Sequence, residues 1–424
     1  MARFLKALAP AIVAAALIGC GGSGNNSSPV ALRFVNASQN QSLTVSLNGV
    51  VQFSAVAAAT ATAYAQVTSG NYTVTVSSAT GVLASAALST GLTSGATFSL
   101  VAYTRDGAVV ATLIAETQTA PAPGLGLVGV ANISPDAGSL DVYVVPTGTA
   151  SPSGLTAQFP FSGFGAAPVF TTLVAGTFDI FVTAAGNPAD IRMHLTSVPV
   201  ALGEIRMLVF TSTPGGALVN AAIMDQAGTV QFFNTTEARV RLASALPTSP
   251  AIPVTGTVGS VALKNVFSPI PGSYTTVTGG TSTYTVSVNG TAVASVPAAT
   301  FAVGGDYTIL AYGTVAAPVV AVFTDNNQVP PGGNANLRLI NAGATNAQGL
   351  TMYDNNVVVA NSILYGQASA YFGVAESATS MLQLIAPGAT PQSNTATVSL
   401  NSPGAVYTVF VIDSTLTPYL VRDR

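Results

Sequence analysis

The chain has 424 residues, a formal net charge of −3, 49% hydrophobic residues and only 6% charged residues. This length gives room for about two to four domains with full-sized cores, and the apolar, weakly charged composition excludes disorder as the main state. The sequence contains no basic run, which argues against a nucleic-acid partner, and its single Cys and single His exclude disulfides within the chain and multi-histidine metal sites.

The first residues have the pattern of an export signal. Arg3 and Lys6 supply a positive start, and residues 7–18 form an apolar stretch that is shorter than the roughly 20 residues of a membrane-spanning helix. We therefore predict a signal peptide over residues 1–19.

Residues 17–20, Leu-Ile-Gly-Cys, resemble the lipobox of bacterial lipoprotein precursors. The resemblance implies that the signal is cut before Cys20 and that the Cys20 thiol carries lipid, which would make a membrane the partner of the chain; two or more acyl chains hold a protein firmly. Residues 20–29 are rich in Gly, Ser and Asn and would form a flexible spacer, and Gly21 fits sorting to an outer membrane. An ordinary secretory signal that happens to contain Cys is the alternative.

Beyond the spacer, an opening strand recurs four times at steps of roughly 100 residues. Its copies begin at Leu32, Val128, Val240 and Leu337. A second strand with alternating apolar and polar residues follows in most copies, and this period of two indicates one buried face. Asn48-Gly49 and Asn355-Asn356 then predict tight hairpin turns, because Asn and Gly tolerate positive φ.

Late strands of the repeats are apolar on both faces, which predicts central strands covered on both sides. In three repeats, such a strand carries an aromatic residue three positions after a Gly: Phe98, Tyr307 and Tyr407. We predict that these three aromatics are mostly buried. Their position resembles the entry to a late sandwich strand, where a corner Tyr bonds to backbone upstream.

Each repeat has about 95–110 residues and six to eight predicted strands, the pattern of an immunoglobulin-like β-sandwich. The sequence thus predicts an all-β fold of four tandem immunoglobulin-like β-sandwich domains after a lipoprotein signal peptide. We name them repeat 1 (30–122), repeat 2 (123–235), repeat 3 (236–333) and repeat 4 (334–424). The boundary between repeats 2 and 3 is the shortest, which favours rigid docking of those two.

Repeat 2 contains residues 131–144, ANISPDAGSLDVYV, and residues 174–182, VAGTFDIFV. These segments resemble the bacterial secreted family called domain of unknown function 4397, whose members open with V-x-V-x-[NH]-A-S-P-D-A-x-x-[VL]-D-V-Y-V. The match is best in repeat 2 and weaker elsewhere. The resemblance implies tandem, exported, often lipid-anchored proteins with a sandwich-like fold. It implies no catalytic residues, because the family has no established activity.

Asp136 and Asp141 are the only close pair of acids, and their oxygens could bind a cation or another ligand. The other three repeats lack both acids, which favours a turn at Asp136 and an outward-facing strand position for Asp141. Residues 324–327 and 353–356 also offer oxygen ligands, but they lack the spacing of an EF-hand loop. We interpret both as turns.

The single His, His194, lies near Asp190 and Arg192. A catalytic His needs a nucleophile and an orienting acid within reach, and the chain has no G-x-S-x-G nucleophile elbow. We expect no catalytic, cofactor-binding or metal-binding residue, and no cofactor.

One charge recurs between repeats. Arg33, Arg241 and Arg338 share one place in the opening strand, and Glu116, Asp325 and Asp423 end the same repeats. First and last strands of sandwiches often lie close, so we predict pairs within about 4 Å that charge a sheet edge and discourage aggregation. Repeat 2 has Gly129 at the Arg position and should lack the pair. Unrelated solvated charges are the alternative.

These features favour a non-enzymatic, lipid-anchored protein of the cell envelope, whose tandem sandwiches bind a glycan or protein ligand or act in adhesion or as a scaffold. A purely structural spacer and a carbohydrate-active enzyme are the alternatives. A pocket with clustered acids and a shifted pKa would favour the enzyme, whereas exposed aromatic side chains along a groove would favour binding.

Overall fold

The structure is a computed structural model of the chain. It describes residues 28–424 except 40, 89–90, 106–107, 247–250, 269–270, 331, 333, 344–347, 389–392, 403 and 413–414. The predicted signal peptide, Cys20 and most of the spacer lie outside the described residues. All regular elements in the described part are β-strands, which confirms the all-β fold. In the same part, no helix is long and apolar enough to cross a membrane.

Repeats 1 and 2 each contain nine described strands, more than the six to eight expected, because short edge segments of two to four residues also pair. Repeat 1 has β1 (Val30–Asn36), β2 (Leu43–Leu47), β3 (Val50–Val56), β4 (Thr60–Ala61), β5 (Ala65–Val67), β6 (Thr73–Ser78), β7 (Gly81–Ala87), β8 (Thr97–Arg105) and β9 (Ala108–Ala115). Repeat 2 has β10 (Leu125–Asn132), β11 (Leu140–Pro146), β12 (Phe159–Ser162), β13 (Val169–Val174), β14 (Gly176–Ala184), β15 (Asn187–Val200), β16 (Ile205–Ser212), β17 (Val219–Asp225) and β18 (Val230–Phe233).

Repeats 3 and 4 follow the same plan. Repeat 3 has β19 (Glu237–Ala245), β20 (Pro253–Val258), β21 (Val261–Ala262), β22 (Val266–Phe267), β23 (Thr275–Thr278), β24 (Tyr284–Val288), β25 (Thr291–Ala292), β26 (Asp306–Gly313) and β27 (Pro318–Asp325). Repeat 4 has β28 (Asn334–Asn341), β29 (Leu350–Asp354), β30 (Val357–Ile363), β31 (Gln367–Ala368), β32 (Phe372–Ala375), β33 (Ser380–Ile385), β34 (Ser393–Val398), β35 (Val406–Val411) and β36 (Pro418–Arg422). The predicted boundaries lie between strands, and independent folding of the four repeats stays a prediction.

Each repeat forms two sheets. The inner sheet contains the first strand of the repeat, paired in parallel with a late strand, in the orders β4-β1-β8-β9, β13-β10-β16-β17-β18, β23-β19-β26-β27 and β31-β28-β35-β36. The outer sheet contains the second strand, in the orders β3-β2-β6-β7, β12-β11-β14-β15, β21-β20-β24-β25 and β30-β29-β33-β34. The parallel pairing places the first strand of every repeat in the middle of its inner sheet.

The two sheets of a repeat enclose an apolar core. In β2, the side chains of Leu43, Val45 and Leu47 are buried, while the two residues between them are partly exposed, as the strand period of two requires. Four such cores are present, one in each repeat. Burial of apolar surface, worth about 25 cal/mol per Å², therefore stabilises each repeat separately.

The inner sheets are apolar on both faces, as predicted. In β8, every residue from Phe98 to Tyr103 is buried. The second face packs against the inner sheet of a neighbouring repeat. One interface contains Val35, Val101 and Ile114 of repeat 1 with Ala131, Val209 and Met224 of repeat 2. The other contains Ala243, Leu310 and Tyr312 of repeat 3 with Ile340 and Phe410 of repeat 4.

The apolar interfaces thus join repeats 1 and 2, and repeats 3 and 4. The apolar outer face of an inner sheet decides this packing, and more rigid docking of repeats 2 and 3 through their short connection stays a prediction. Repeats 2 and 3 meet through polar backbone contacts. The Gly215 N–H donates to the Gly304 carbonyl (2.7 Å), and the Asn327 N–H donates to the Gly215 carbonyl (3.1 Å).

The predicted turns and buried aromatics are confirmed. Asn48, Asn355 and Asn356 have φ of 47°, 47° and 68°, the left-handed region that these hairpin turns need. Phe98, Tyr307 and Tyr407 are 5%, 8% and 4% exposed. The Tyr307 hydroxyl accepts a hydrogen bond from the Ala302 N–H (2.9 Å), the upstream backbone contact expected of a corner Tyr.

Candidate functional site

Arg33 of repeat 1 lies in a buried network. Because β1 pairs in parallel with β8, Arg33 stands beside Ser99, and its Nε donates to the Ser99 hydroxyl (2.6 Å). Arg33 also forms an ion pair with Glu116 at 2.9 Å. The Tyr64 ring lies over the guanidinium, 4.8 Å from its carbon, and the Tyr64 hydroxyl donates to Glu116 (2.6 Å). The predicted pair of Arg33 and Glu116 is confirmed.

Repeats 3 and 4 build the same network from an Arg, a Thr, an Asp and a Tyr. Its members are Arg241, Thr308, Asp325 and Tyr274 in repeat 3, and Arg338, Thr408, Asp423 and Tyr371 in repeat 4. In both repeats the Thr hydroxyl accepts from the Arg and donates to the Asp, at 2.5 Å in each case. The recurrence shows that the four positions form one structural unit.

The ion pairs of these two repeats cross the interface between them. Arg241 Nη2 lies 2.7 Å from Asp423 Oδ1 of repeat 4, and Arg338 pairs with Asp325 of repeat 3. Arg241 lies 3.8 Å from its own Asp325, within the predicted distance. The predicted pair of Arg338 with Asp423 is wrong, because Asp325 takes that guanidinium.

The location of these charges also differs from the prediction. The paired side chains of Arg241, Arg338, Asp325 and Asp423 are at most 3% exposed, since the neighbouring inner sheet covers them. They hold two repeats together and do not charge a solvent-facing edge. Arg33 does the same at the other interface, where its Nη1 donates to the Gly228 carbonyl of repeat 2 (2.8 Å).

Repeat 2 lacks the recurring pair, as predicted from Gly129. Gly129 stands opposite Phe170, and a Cβ on Gly129 would come within 2.4 Å of the Phe170 ring. Phe170 therefore fills the space that Arg and Tyr share in the other repeats. The closing acid of repeat 2, Asp225, pairs instead with Arg206 (2.8 Å), which also pairs with Glu204 (2.6 Å).

Beside the crossed pairs, a cavity of about 1090 Å³ lies between repeats 2, 3 and 4. Its walls are edge strands, β15 of repeat 2 and β23 of repeat 3, with the end of β36 closing one side. A cavity of about 320 Å³ adjoins it and shares Arg192, Arg239 and Asp423 with it. We call the two cavities together the inter-repeat cleft.

Basic side chains concentrate in this cleft, although the chain has a net charge of −3. Its charged lining residues are Arg192, Arg239, Arg241, Lys264, Arg422 and Arg424, and Asp136, Asp190, Glu237 and Asp423. Half of the twelve Lys and Arg residues in the sequence therefore line one cleft. Sequence analysis missed this site, because the six basic residues come from three repeats and form no run.

Two of these basic groups are held by buried acids. Arg239 Nε donates to Asp306 Oδ1 (2.9 Å) and its Nη2 to Asp306 Oδ2 (2.5 Å), and the Tyr274 ring lies 4.4 Å from the guanidinium carbon. Such a bidentate pair fixes both position and orientation. Arg241 is tied to Asp423 as described above. These two residues form the rigid floor of the cleft.

Arg192 has fewer contacts within the fold than Arg239 and Arg241. Its Nη2 pairs with Asp190 Oδ2 at 2.7 Å, but its Nε is buried without a hydrogen-bond partner among the described residues. Burial lowers the pKa of Arg192, and the guanidinium of Arg239 lowers it further, whereas Asp190 raises it. Arg192 thus has an unmet donor in a region crowded with positive charge.

The guanidinium of Arg424 lies in the same region of concentrated positive charge. It donates to the carbonyls of Asn327 (3.0 Å) and Pro135 (2.9 Å). Burial lowers the pKa of Arg424 to about 10. The carboxylate of Asp136 acts to raise this pKa, and the neighbouring guanidinium of Arg192 lowers it further. A site with a surplus of positive charge favours an anion.

His194 lies on the wall of the cleft. Its ring is exposed and stacks on Phe181, with centroids 3.9 Å apart and an interplanar angle of 8°. Burial lowers the pKa of His194, which outweighs the opposite effect of Asp179. The stack presents a flat ring face in the cavity that Asp190 and Arg192 also line.

Asp136 and Asp141 have structural contacts. Asp136 Oδ1 accepts from the Val329 N–H (2.9 Å), and Asp141 accepts from the N–H groups of Phe161 and Gly186 (2.8 Å each). Both acids are buried. Asp141 lies on the outward face of its strand, as predicted, because its neighbours Leu140 and Val142 belong to the core; its carboxylate compensates backbone donors of the outer sheet. The described residues contain no cluster of three or more His, Cys, Asp and Glu that could hold a metal ion.

The two Asn-rich segments do not converge on a common ligand site. In residues 324–327, Asp325 binds arginines, and Asn327 Nδ2 donates to Asp306 Oδ2 (2.7 Å). In residues 353–356, Asn355 Oδ1 accepts from the Met381 N–H across the hairpin (3.0 Å). Residues 355 and 356 form the predicted turn. The prediction of a turn at residues 324–327 was wrong, because Thr324 and Asp325 end β27, and Asp325 serves the interface between repeats 3 and 4.

Comparison with known families decides the classification. The model of the family described as "Domain of unknown function (DUF4397)" matches residues 30–143 and 238–353, which together are more than half of the chain. The chain belongs to the DUF4397 family. Each DUF4397 match begins with the first strand of an odd-numbered repeat and runs on into the opening strands of the next repeat. No curated protein matches the sequence significantly.

Several solved structures show a distant similarity to this DUF4397 protein. A candidate cell adhesion protein from Bacteroides uniformis has 13% identity and a TM-score of 0.23, over 49% of this chain and 99% of that one. The TIE protein of Bacillus anthracis has 11% identity and a TM-score of 0.16, over 87% and 66%. The glycogen-degrading pneumococcal virulence factor SpuA has 8% identity and a TM-score of 0.17, over 63% and 37%. Such scores do not indicate a shared global fold.

Proposed function

We propose that this protein is exported, anchored by lipid on Cys20 to the cell envelope at an outer membrane, and acts there as a non-enzymatic binding module. The carrying observation is the inter-repeat cleft. It is a concave surface built from three repeats, and polar groups that converge in a concave site fix the orientation of a ligand and provide specificity. The lipid and the spacer would hold the cleft outside the membrane, within reach of a glycan or protein ligand.

The rigid floor of the cleft supports binding over catalysis. Arg239 and Arg241 are saturated by Asp306 and Asp423, so they keep a fixed shape and have no free group to move a proton. A preorganised surface of this kind lowers the entropy cost of binding. A pure spacer needs the interfaces between repeats but has no use for the cleft.

A carbohydrate-active enzyme is the second candidate, because two carboxyl groups with different surroundings line the cleft. Burial raises the pKa of Glu237, which suits a general acid, while Asp190 forms an ion pair with Arg192 (2.7 Å). Unlike environments for two carboxyls are the pattern of glycoside hydrolysis. Release of new reducing ends from an oligosaccharide, abolished by Glu237→Gln, would establish this candidate and overturn the non-enzymatic one.

The test of the anchor is mass spectrometry of the mature N-terminal peptide after membrane fractionation. We expect Cys20 as the first residue with diacylglycerol on its thiol, and Cys20→Ser should leave the signal uncut. An unmodified thiol, or cleavage at another residue, contradicts the anchor. Protease treatment of intact cells then tests whether the repeats are exposed at the surface.

A further inference from the structure

We propose that the ligand of the inter-repeat cleft is an acidic oligosaccharide, whose carboxylates are bound by Arg192, Lys264 and Arg422. This inference rests on the proposed binding function and specifies its ligand class. The first observation is charge. Apart from the pairs of Arg239 with Asp306 and of Arg241 with Asp423, four basic side chains of the cleft face three acidic ones, although acids outnumber bases in the whole sequence, 15 to 12.

The second observation is that the charged groups of Arg192, Lys264 and Arg422 are not fully paired with other described residues. Arg192 Nε is buried without a partner among the described residues. Lys264 is exposed and forms no ion pair in the described part of the chain, and Arg422 uses its Nε on the Arg424 carbonyl (2.5 Å) and forms no ion pair there. Guanidinium and ammonium groups form strong, charge-assisted hydrogen bonds with carboxylates.

The third observation is the chemistry of the walls, which favours a saccharide over an acidic peptide. Between the charges, the walls carry short hydroxyl and amide side chains, namely Asn187, Thr196, Asn234, Thr236, Ser273 and Thr276. Grooves that bind extended peptides obtain specificity from pockets for alternate side chains. Of the apolar lining residues, Met193, Leu195 and Leu218 are 6%, 5% and 1% exposed and belong to the core, whereas Ile191, Phe233, Pro271 and Val421 are partly exposed. The most exposed lining residues are polar, apart from Ala189, which suits the hydroxyl groups of a saccharide better than an extended peptide.

The fourth observation is shape. The exposed ring of His194, stacked on Phe181 (3.9 Å), gives a sugar ring a platform in the cavity that Arg192 also lines. The larger cavity, about 1090 Å³, is larger than the roughly 300–1,000 Å³ of sites that hold one small molecule. A chain of several sugar units fits this size and the spread of the three cations.

The test is isothermal titration of the full-length protein with an oligogalacturonate. A neutral galacto-oligosaccharide and a polyglutamate peptide, each of matched length, serve as comparison probes. We expect the oligogalacturonate alone to bind, with affinity that falls as salt rises because screening weakens charge pairing. Arg192→Gln, Lys264→Gln and Arg422→Gln should each weaken binding by about tenfold or more. Arg105→Gln, a matched charge change outside the cleft, should leave it unchanged.

Three outcomes overturn the inference: no binding of the uronate, equal binding of the neutral oligosaccharide, or tighter binding of polyglutamate, which would assign an acidic peptide. Lys264 makes no ion pair with any described residue, so Lys264→Gln keeps the test valid if Arg192→Gln unfolds. If Cys20 carries lipid and the titration shows no binding, the inference about the ligand fails while the lipid anchor stands. If Cys20 is unmodified but the uronate binds, the anchor fails and the ligand class stands.

Discussion

Arg241 and Asp423 lie 182 residues apart in the sequence and form a buried ion pair of 2.7 Å that ties repeat 3 to repeat 4. The reciprocal pair, Arg338 with Asp325, crosses in the opposite direction. The Arg of each repeat thus pairs with the Asp of the other repeat, as in the self-complementary interface of a two-fold dimer. The interface between repeats 1 and 2 lacks this symmetry, because repeat 2 has Gly129 at the position of the recurring Arg.

Asp325→Asn should destabilise the protein by about 3–5 kcal/mol, because it leaves buried guanidiniums without a counter-charge. Asp325 is fully buried and contacts Arg338 and Arg241. The matched control is Asp190→Asn, whose side chain is 32% exposed and whose loss should cost about 0.2–1 kcal/mol. Chemical unfolding followed by tyrosine fluorescence measures both, since the chain contains no Trp. Equal losses would mean that the crossed pair adds nothing to stability.

The same acid should make the protein sensitive to low pH. Burial alone would raise the pKa of Asp325, but Arg338 and then Arg241 outweigh burial and lower it. A pKa lowered by folding gives stability that is complete above the ordinary carboxyl pKa of about 3.9 and is lost as the pH falls through the folded-state value. The stability difference between wild type and Asp325→Asn should therefore shrink in acid.

Glu237 should show the opposite pH dependence. Burial raises its pKa, so the charged form costs stability at neutral pH, and this cost disappears as the pH falls through the raised value. Glu237→Gln should be more stable than wild type at neutral pH and lose that advantage in mild acid. Unfolding curves at a series of pH values measure the stability difference from wild type for Glu237→Gln and for Asp325→Asn. A difference that stays constant with pH would contradict the pKa shift assigned to that residue.

Gly129→Ala should destabilise repeat 2 by about 1–3 kcal/mol, because the new Cβ meets a packed ring. The nearest ring atom of Phe170 would lie 2.4 Å away. If this contact is the cause, Gly129→Ala should cost less in a chain that already carries Phe170→Ala. A double-mutant cycle measures the coupling, and simple additivity of the two changes would rule out the clash.

Tyr407→Ala should cost about 3–5 kcal/mol, the usual loss for a large core side chain. Tyr407 is 4% exposed and packs in the core of repeat 4. Val50→Ala is the control, because Val50 is 69% exposed and its change should stay below about 0.5 kcal/mol. A loss of that small size for Tyr407→Ala would place the side chain at the surface.

The local features of this protein could be predicted from its sequence. The period of two in Leu43–Leu47, the turns at Asn48 and Asn355, and the burial of Tyr407 depend on residues close in the chain and on the pattern that recurs in each repeat. The pair of Arg33 with Glu116 followed from the same recurrence, because the first and last strands of a sandwich lie close. Membership of the DUF4397 family was readable from the motif in residues 131–144.

Only the tertiary structure decided which repeats pack together and which charges meet. Two apolar faces on a strand such as β8 indicate that something covers both faces, but they do not specify the covering sheet. For this reason the sequence placed Arg338 with Asp423, while packing of repeat 3 on repeat 4 brought Asp325 nearer. The cleft has the same origin: Arg192, Arg239 and Arg422 belong to three repeats, and only the arrangement of those repeats puts their charges on one surface.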